Sequence, residues 1–170
     1  MKTNALSVAN YFIELAARDH KPIHLLGLVK RVYIAHGFAL ALLGRGLLDE
    51  RFDRVEAWKY GPVIPSVYHS FKQYRKNSIT EPTVMLHQDV FGVFDFIIPK
   101  LTDEKEKNIV EMVWKRYLNY TDSQLVALTH RDGTPWGACY EEGKNNEISD
   151  GLTKRFYSKL VNIVVNEKGI

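Results

Sequence analysis

The chain has 170 residues, 45% hydrophobic, 12% aromatic and 25% charged, a globular composition that excludes a wholly disordered, collagen-like or coiled-coil protein. A chain of this length buries about two-thirds of its unfolded surface, enough for one core without staples, so a single domain over residues 1–170 is expected. The formal charge of +3, from 23 basic and 20 acidic residues, is too small to predict a nucleic-acid or membrane partner, and the single cysteine, Cys139, excludes an intrachain disulfide framework or a cluster of thiolate ligands.

From Ser7, a plausible helix cap, Val8, Tyr11, Phe12, Leu15 and Ala16 fall on one helical stripe. Asp19 to Pro22 breaks the pattern. Leu25, Leu28, Val29, Val32, Tyr33 and His36 restart it in a broadly apolar, central second helix that runs towards Leu43 and stops at Gly44 and Gly46. The opening segment is too interrupted for a signal peptide, and no later stretch approaches the roughly 18 apolar residues of a bilayer span. No membrane role is expected, and the cytoplasm is the expected location.

Leu47 to Val63 is irregular and holds a candidate extended stretch at Arg54 to Trp58. Pro65 suits the first turn of a third helix with Val67, Tyr68, Phe71 and Tyr74 on its stripe, ending near Lys76. Between Asn77 and Lys100 no helical period is sustained, and Thr83 to Leu86 and Val90 to Ile98 are apolar enough for buried strand, short helix or ordered loop. Thr102 offers the next cap, before a helix carrying Ile109, Val110, Val113, Trp114, Tyr117 and Leu118. Thr121 and Gln124 have capping-box spacing, predicting a helix that turns Leu125, Leu128 and Thr129 inward and stops at Asp132-Gly133. A short element after Pro135, a polar loop from Glu141 to Glu147 and a last helix from about Ser149 complete the chain, the last with Leu152, Phe156, Leu160, Ile163 and Val164 on one side. The predicted fold is a mainly α, compact single-domain bundle of about six helices, with a short β-hairpin or extended segment in the middle.

Catalytic patterns are absent from this reading. His20 and His24 have the spacing of zinc ligands, but Pro22 lies between them and no glutamate follows His20 as in a metalloprotease motif. His36, on an apolar stripe, reads as a hydrogen-bonded structural histidine. Cys139, His130 and Asp132 are the residue types of a thiol nucleophile, base and orienter, with no spacing that demands convergence. No phosphate loop and no GxSxG elbow occurs. The expectation is no catalytic residue, no metal and no cofactor. The basic clusters Lys72, Arg75, Lys76 and Lys154, Arg155, Lys159 read as solvated helix faces.

Two segments stand apart. In WKYGPVIPSVY, Trp58 to Tyr68, Gly61 permits backbone angles that other residues avoid, Pro62 bars Gly61 from helical angles and Pro65 presets the next helix, so the turn is rigid. Trp58 and Tyr60 flank it, either as recognition rings presented at low entropic cost or as pins that fix the turn to the core. In THRDGTPWGACY, Thr129 to Tyr140, His130 ends a helix, Gly133 turns the chain and Pro135 fixes Trp136, which either closes the core over the second helix or shares a surface with the first turn.

ANYFIELA, KRVYIAHGFALA, EAWKYGPVIPSVYHSFKQY and LTHRDGTPWGACY, in this order, resemble the SocA-like Panacea domain antitoxin family over nearly the whole chain. The resemblance implies a role in a toxin–antitoxin system of bacteria, prophages or phages, in which the domain binds and neutralises a toxin encoded beside it, without being an enzyme. By matching position, Trp58, Tyr60, Gly61, Pro62, His130, Pro135 and Trp136 are the characteristic residues, with Tyr68 closing the aromatic run as a further candidate for partner binding. The cognate toxin is the expected partner. Two other roles stay open: an adaptor that hands the toxin to an ATP-dependent protease, and a nucleic-acid-binding regulator using Lys72, Arg75 and Lys76, although nucleic acid is not the expected partner. Arg75 departs from the resemblance, since a glycine is expected after the third helix.

Overall fold

The computed structural model describes residues 2–167. Its elements in chain order are α1 (Ala5–Arg18), α2 (Leu25–Leu42), β1 (Glu56–Trp58), β2 (Gly61–Val63), α3 (Pro65–Phe71) with a 3₁₀ turn at Lys72–Tyr74, β3 (Met85–Gln88), β4 (Phe94–Ile97), α4 (Glu104–Arg116), α5 (Asp122–Thr129), α6 (Pro135–Cys139) and α7 (Asp150–Glu167). The fold is mainly α, and the strands form two separate antiparallel hairpins, β1–β2 and β3–β4.

Local chemistry sets the helix starts. Asn4, not Ser7, caps α1: its side chain accepts from Ser7 N, and the Ser7 hydroxyl oxygen accepts in return from Asn4 N, closing a capping box. The cap of α4 also differs, falling one residue after the expected Thr102 at Asp103, whose carboxylate takes both Lys105 N and Glu106 N. Neutral Thr102 would satisfy those amides less well at the positive helix end. Thr121 and Gln124 form the capping box of α5, and Pro65 occupies the first turn of α3. The chain after the 3₁₀ turn takes φ +52° at Arg75, a left-handed value that glycine adopts without strain and arginine does not. That is the position where the resemblance called for glycine.

Every residue of α2 from Gly27 to Leu40 is buried, because α1, α4, α5 and α7 all pack on it. By length and composition this helix could cross a bilayer, contrary to the expectation that no stretch comes near that limit; 83% of it is buried inside the fold, and an apolar helix covered on all sides has the same composition as a membrane span. The histidine on it is structural. His36 is buried, its Nδ1 accepts from Leu47 N at 3.1 Å, and its Nε2 faces Asp150 Oδ1 at 2.9 Å, so Nε2 carries the hydrogen that Asp150 accepts. That bond holds the Asp150 carboxyl below its usual range.

Two other expectations need correction. The buried line of α7 is Thr153 and Tyr157, whereas Leu152, Phe156 and Leu160 are half-buried and Ile163 is exposed. The side chain of Val164, the last of the expected stripe, lies outside the described residues. The helix is rotated because the Tyr157 ring fills the notch left by Gly37 on α2, where an added Cβ would lie 2.3 Å from the ring, and it packs edge-on against Tyr33 and Phe38. Phe156 and Leu160 line a neighbouring cleft of about 510 Å³. Between Asn77 and Lys100 the apolar runs form the β3–β4 hairpin, which is largely exposed and not a buried element.

Candidate functional site

The two motif blocks meet around the β1–β2 hairpin. Strand pairing runs Glu56 to Val63, Ala57 to Pro62 and Trp58 to Gly61, leaving Lys59 and Tyr60 at the tip. Gly61 closes the turn at φ +97°, and a Cβ there would lie 3.0 Å from Lys30 Nζ, so both backbone angle and space call for glycine. The far edge of β1 is covered as well. Ala57 N donates to Asn146 O at 2.8 Å and Ile148 N to Val55 O at 2.8 Å, which brings the end of the polar loop alongside the strand. Below, buried Asp53 takes bonds from Ala5 N, Asp49 N and the Ser66 hydroxyl at 2.7–3.0 Å, locking the segment before β1 to the starts of α1 and α3.

Three side chains from distant parts of the sequence grip the carbonyls of this turn. Trp136 Nε1 donates to Trp58 O at 2.8 Å, His130 Nε2 to Lys59 O at 2.8 Å, and Lys30 Nζ to Pro62 O at 2.8 Å. A carbonyl only accepts, so His130 is held with its hydrogen on Nε2. The His130 ring lies 3.7 Å from the Trp136 ring, which stacks in turn on Tyr140 at 4.7 Å. Thr134 caps α6 through Gly137 N, and Pro135 is buried beneath. Of the expected site residues, Gly61, Pro62, His130, Pro135 and Trp136 are therefore brought together as the clamp of the turn.

The aromatic residues of the turn divide differently. Trp58 is half-buried, its Nε1 donates to Glu56 Oε2 at 2.8 Å, and its ring packs against Tyr68 at 5.1 Å and His69 at 6.3 Å. Tyr68 is half-buried too. Tyr60 is the outward ring, 61% exposed, with Lys59 Nζ 5.7 Å from its centroid. Of the two rings that flank the turn, Trp58 packs half-buried against Tyr68 and Tyr60 is presented, while Trp136, buried beside them, pins the turn through Trp58 O.

Lys30 escaped the sequence reading. It is fully buried with no acidic partner at hydrogen-bonding distance among the described residues, and burial pushes its pKa from 10.5 down to about 7. Its sequence signal is a lysine amid the apolar run LLGLVKRVYIAHG, where a charge has no route to the surface. Because Nζ is sealed beneath the turn, its role is structural: it donates a hydrogen bond to the buried carbonyl of Pro62.

The other candidates stay apart. His20 has φ +52° and His24 Nε2 lies 3.3 Å from Ser78 Oγ. Among the described residues no three His, Cys, Asp or Glu side chains gather as metal ligands. Cys139 is half-buried, burial raises its thiol pKa, and His130, the nearest candidate base in sequence, points its Nε2 at Lys59 O. Lys72, Arg75 and Lys76 are exposed, as are Lys154, Arg155 and Lys159.

The family described as "Antitoxin SocA-like, Panacea domain" matches residues 28–137, a stretch that contains every residue of the clamp. Antitoxin SocA of Caulobacter vibrioides (strain NA1000 / CB15N) is 35% identical over 149 residues, covering 88% of this chain and 76% of that protein. No solved structure matches. The chain belongs to the SocA-like Panacea antitoxin family, which gives it an antitoxin role.

Proposed function

We propose that this chain acts in the cytoplasm by binding a cognate protein toxin directly and neutralising it without catalysis, with the Tyr60 end of the β1–β2 hairpin in the contact surface. The observation that supports this reading is the division of the motif: its hydrogen-bonding groups are engaged in fixing the turn, while Tyr60 stands outward on a tip held by Trp136, His130 and Lys30. A ring displayed on a preorganised turn has little entropy left to lose on binding.

Co-expression with the product of the adjacent gene is the test. The chain should relieve the growth arrest that product causes alone, and Tyr60→Ala should weaken the complex by roughly tenfold or more while leaving the circular-dichroism melt unchanged. A toxin whose level falls only while an ATP-dependent protease is active would point to delivery for proteolysis instead. Affinity for duplex DNA that drops steeply with salt would point to a regulator.

A further inference from the structure

Of the fifteen large apolar side chains exposed among the described residues, eight lie between Val84 and Ile98. Soluble surfaces rarely concentrate apolar groups in this way unless a partner covers them. The register explains the concentration. Leu86 faces Phe96 and Gln88 faces Phe94 across the hairpin, and alternation adds Val84 and Ile98 to that same face. The opposite face carries Met85 and Ile97, both half-buried, and then His87 and Asp95. One side of the ribbon thus rests at its root on the body, and on the other Leu86, Phe94 and Phe96 stand 54–69% exposed.

The ribbon is built as an arm. Buried Asn10 clasps both of its roots: Nδ2 donates to Thr83 O at 3.0 Å and Pro99 O at 3.1 Å, and Oδ1 accepts from Thr83 N at 2.9 Å. At the tip, Asp89 Oδ1 accepts from Phe91 N and Val93 N at 2.9 Å each, and Asp89 N donates to Val93 O at 2.9 Å. Among the described residues the sheet has these two strands alone, so each also offers an unpaired outer edge, the template for strand addition.

Charge narrows the occupant. Thr83 to Ile98 holds Asp89 and Asp95 and no lysine or arginine, in a chain whose formal charge is +3. Asp95 lies on the face opposite the rings and Asp89 at the tip, so a groove that takes the apolar face meets the carboxylates only along its rim, where a lysine or arginine would complement them; the ribbon of a second copy carries neither. We infer that the β3–β4 hairpin is a docking arm for the toxin, inserting Leu86, Phe94 and Phe96 into an apolar groove rimmed by lysine or arginine. The inference rests on the proposed antitoxin reading and adds to the Tyr60 tip a second point of attachment.

The probe is the purified product of the adjacent gene with the full-length chain and with Phe94→Ser/Phe96→Ser. The double variant should bind at least about 100-fold more weakly, fail to relieve growth arrest and keep the wild-type melt. Asp95→Lys, which retains the rings, should bind more weakly and lose the salt dependence of the wild-type complex. Amides of the outer strand edges should gain exchange protection on complex formation. Wild-type rescue together with undiminished binding by the double variant would overturn the docking arm and leave the antitoxin reading standing. A wild-type chain that neither rescues nor binds would overturn both. A wild-type dimer abolished by the double variant in the absence of toxin would assign the face to a second copy and overturn the inference.

Discussion

The β1–β2 and β3–β4 hairpins are both two-stranded and antiparallel, yet their environments are opposite. In the first, five of the six strand residues are buried and side chains from α2, α6 and the end of α5 hold the turn by its carbonyls. In the second, six of the eight strand residues are exposed, and Asn10 fastens the root. An isolated two-stranded ribbon is marginal in water, so each hairpin needs outside support: the fold supplies it to β1–β2, and a partner would complete it for β3–β4. Aromatic content does not separate the two, whereas access to neighbouring elements does.

Substitutions can break this contrast at several strengths. Trp136→Ala should have the largest effect, destabilising by about 3–5 kcal/mol, because it empties a buried site and frees Trp58 O; a loss below about 1 kcal/mol in urea unfolding would mean that the clamp is not structural. Gly61→Ala comes next. It forces a side chain onto φ +97° and within 3.0 Å of Lys30 Nζ, with an expected loss of about 1–3 kcal/mol. Phe94→Ser/Phe96→Ser should change stability by no more than about 0.5 kcal/mol, since both rings already face solvent.

Lys30 sharpens the comparison through pH. Burial lowers its folded pKa from 10.5 to about 7, so between those values the unfolded chain binds a proton that the folded chain releases. Stability should therefore rise as pH increases from 7 towards 10.5, and the full penalty for burying the charge applies below 7. Lys30→Met removes this slope, and unfolding free energies measured at pH 7 and pH 9 should shift relative to the variant in favour of the wild type. A constant difference would mean that the amine stays charged beneath the turn.

The helices, two of their starts and the family were legible because they depend on near neighbours and ordered motifs. The α5 capping box needs only Thr121 and Gln124 three residues apart, and Pro65 needs only its own ring to suit the first turn of α3. The clamp was half legible: Trp136 and His130 were singled out, but their partners lie 78 and 71 residues away, and no local rule encodes such a distance. The stripe of α7 was misplaced because its periodicity fits more than one rotation, and the Gly37 notch selected the one that buries Tyr157.

The sequence by itself determined the helices, the rigid glycine–proline turn and membership of the family, since hydrogen bonding within a few residues and fixed φ angles specify them. Tertiary structure alone decided that Trp136 pins while Tyr60 projects, that Lys30 is sealed beneath the turn, and that the apolar run from Val84 to Ile98 faces outward. Burial is a property of where other segments come to rest, and an apolar strand carries the same residues whether the fold or a partner is to cover it.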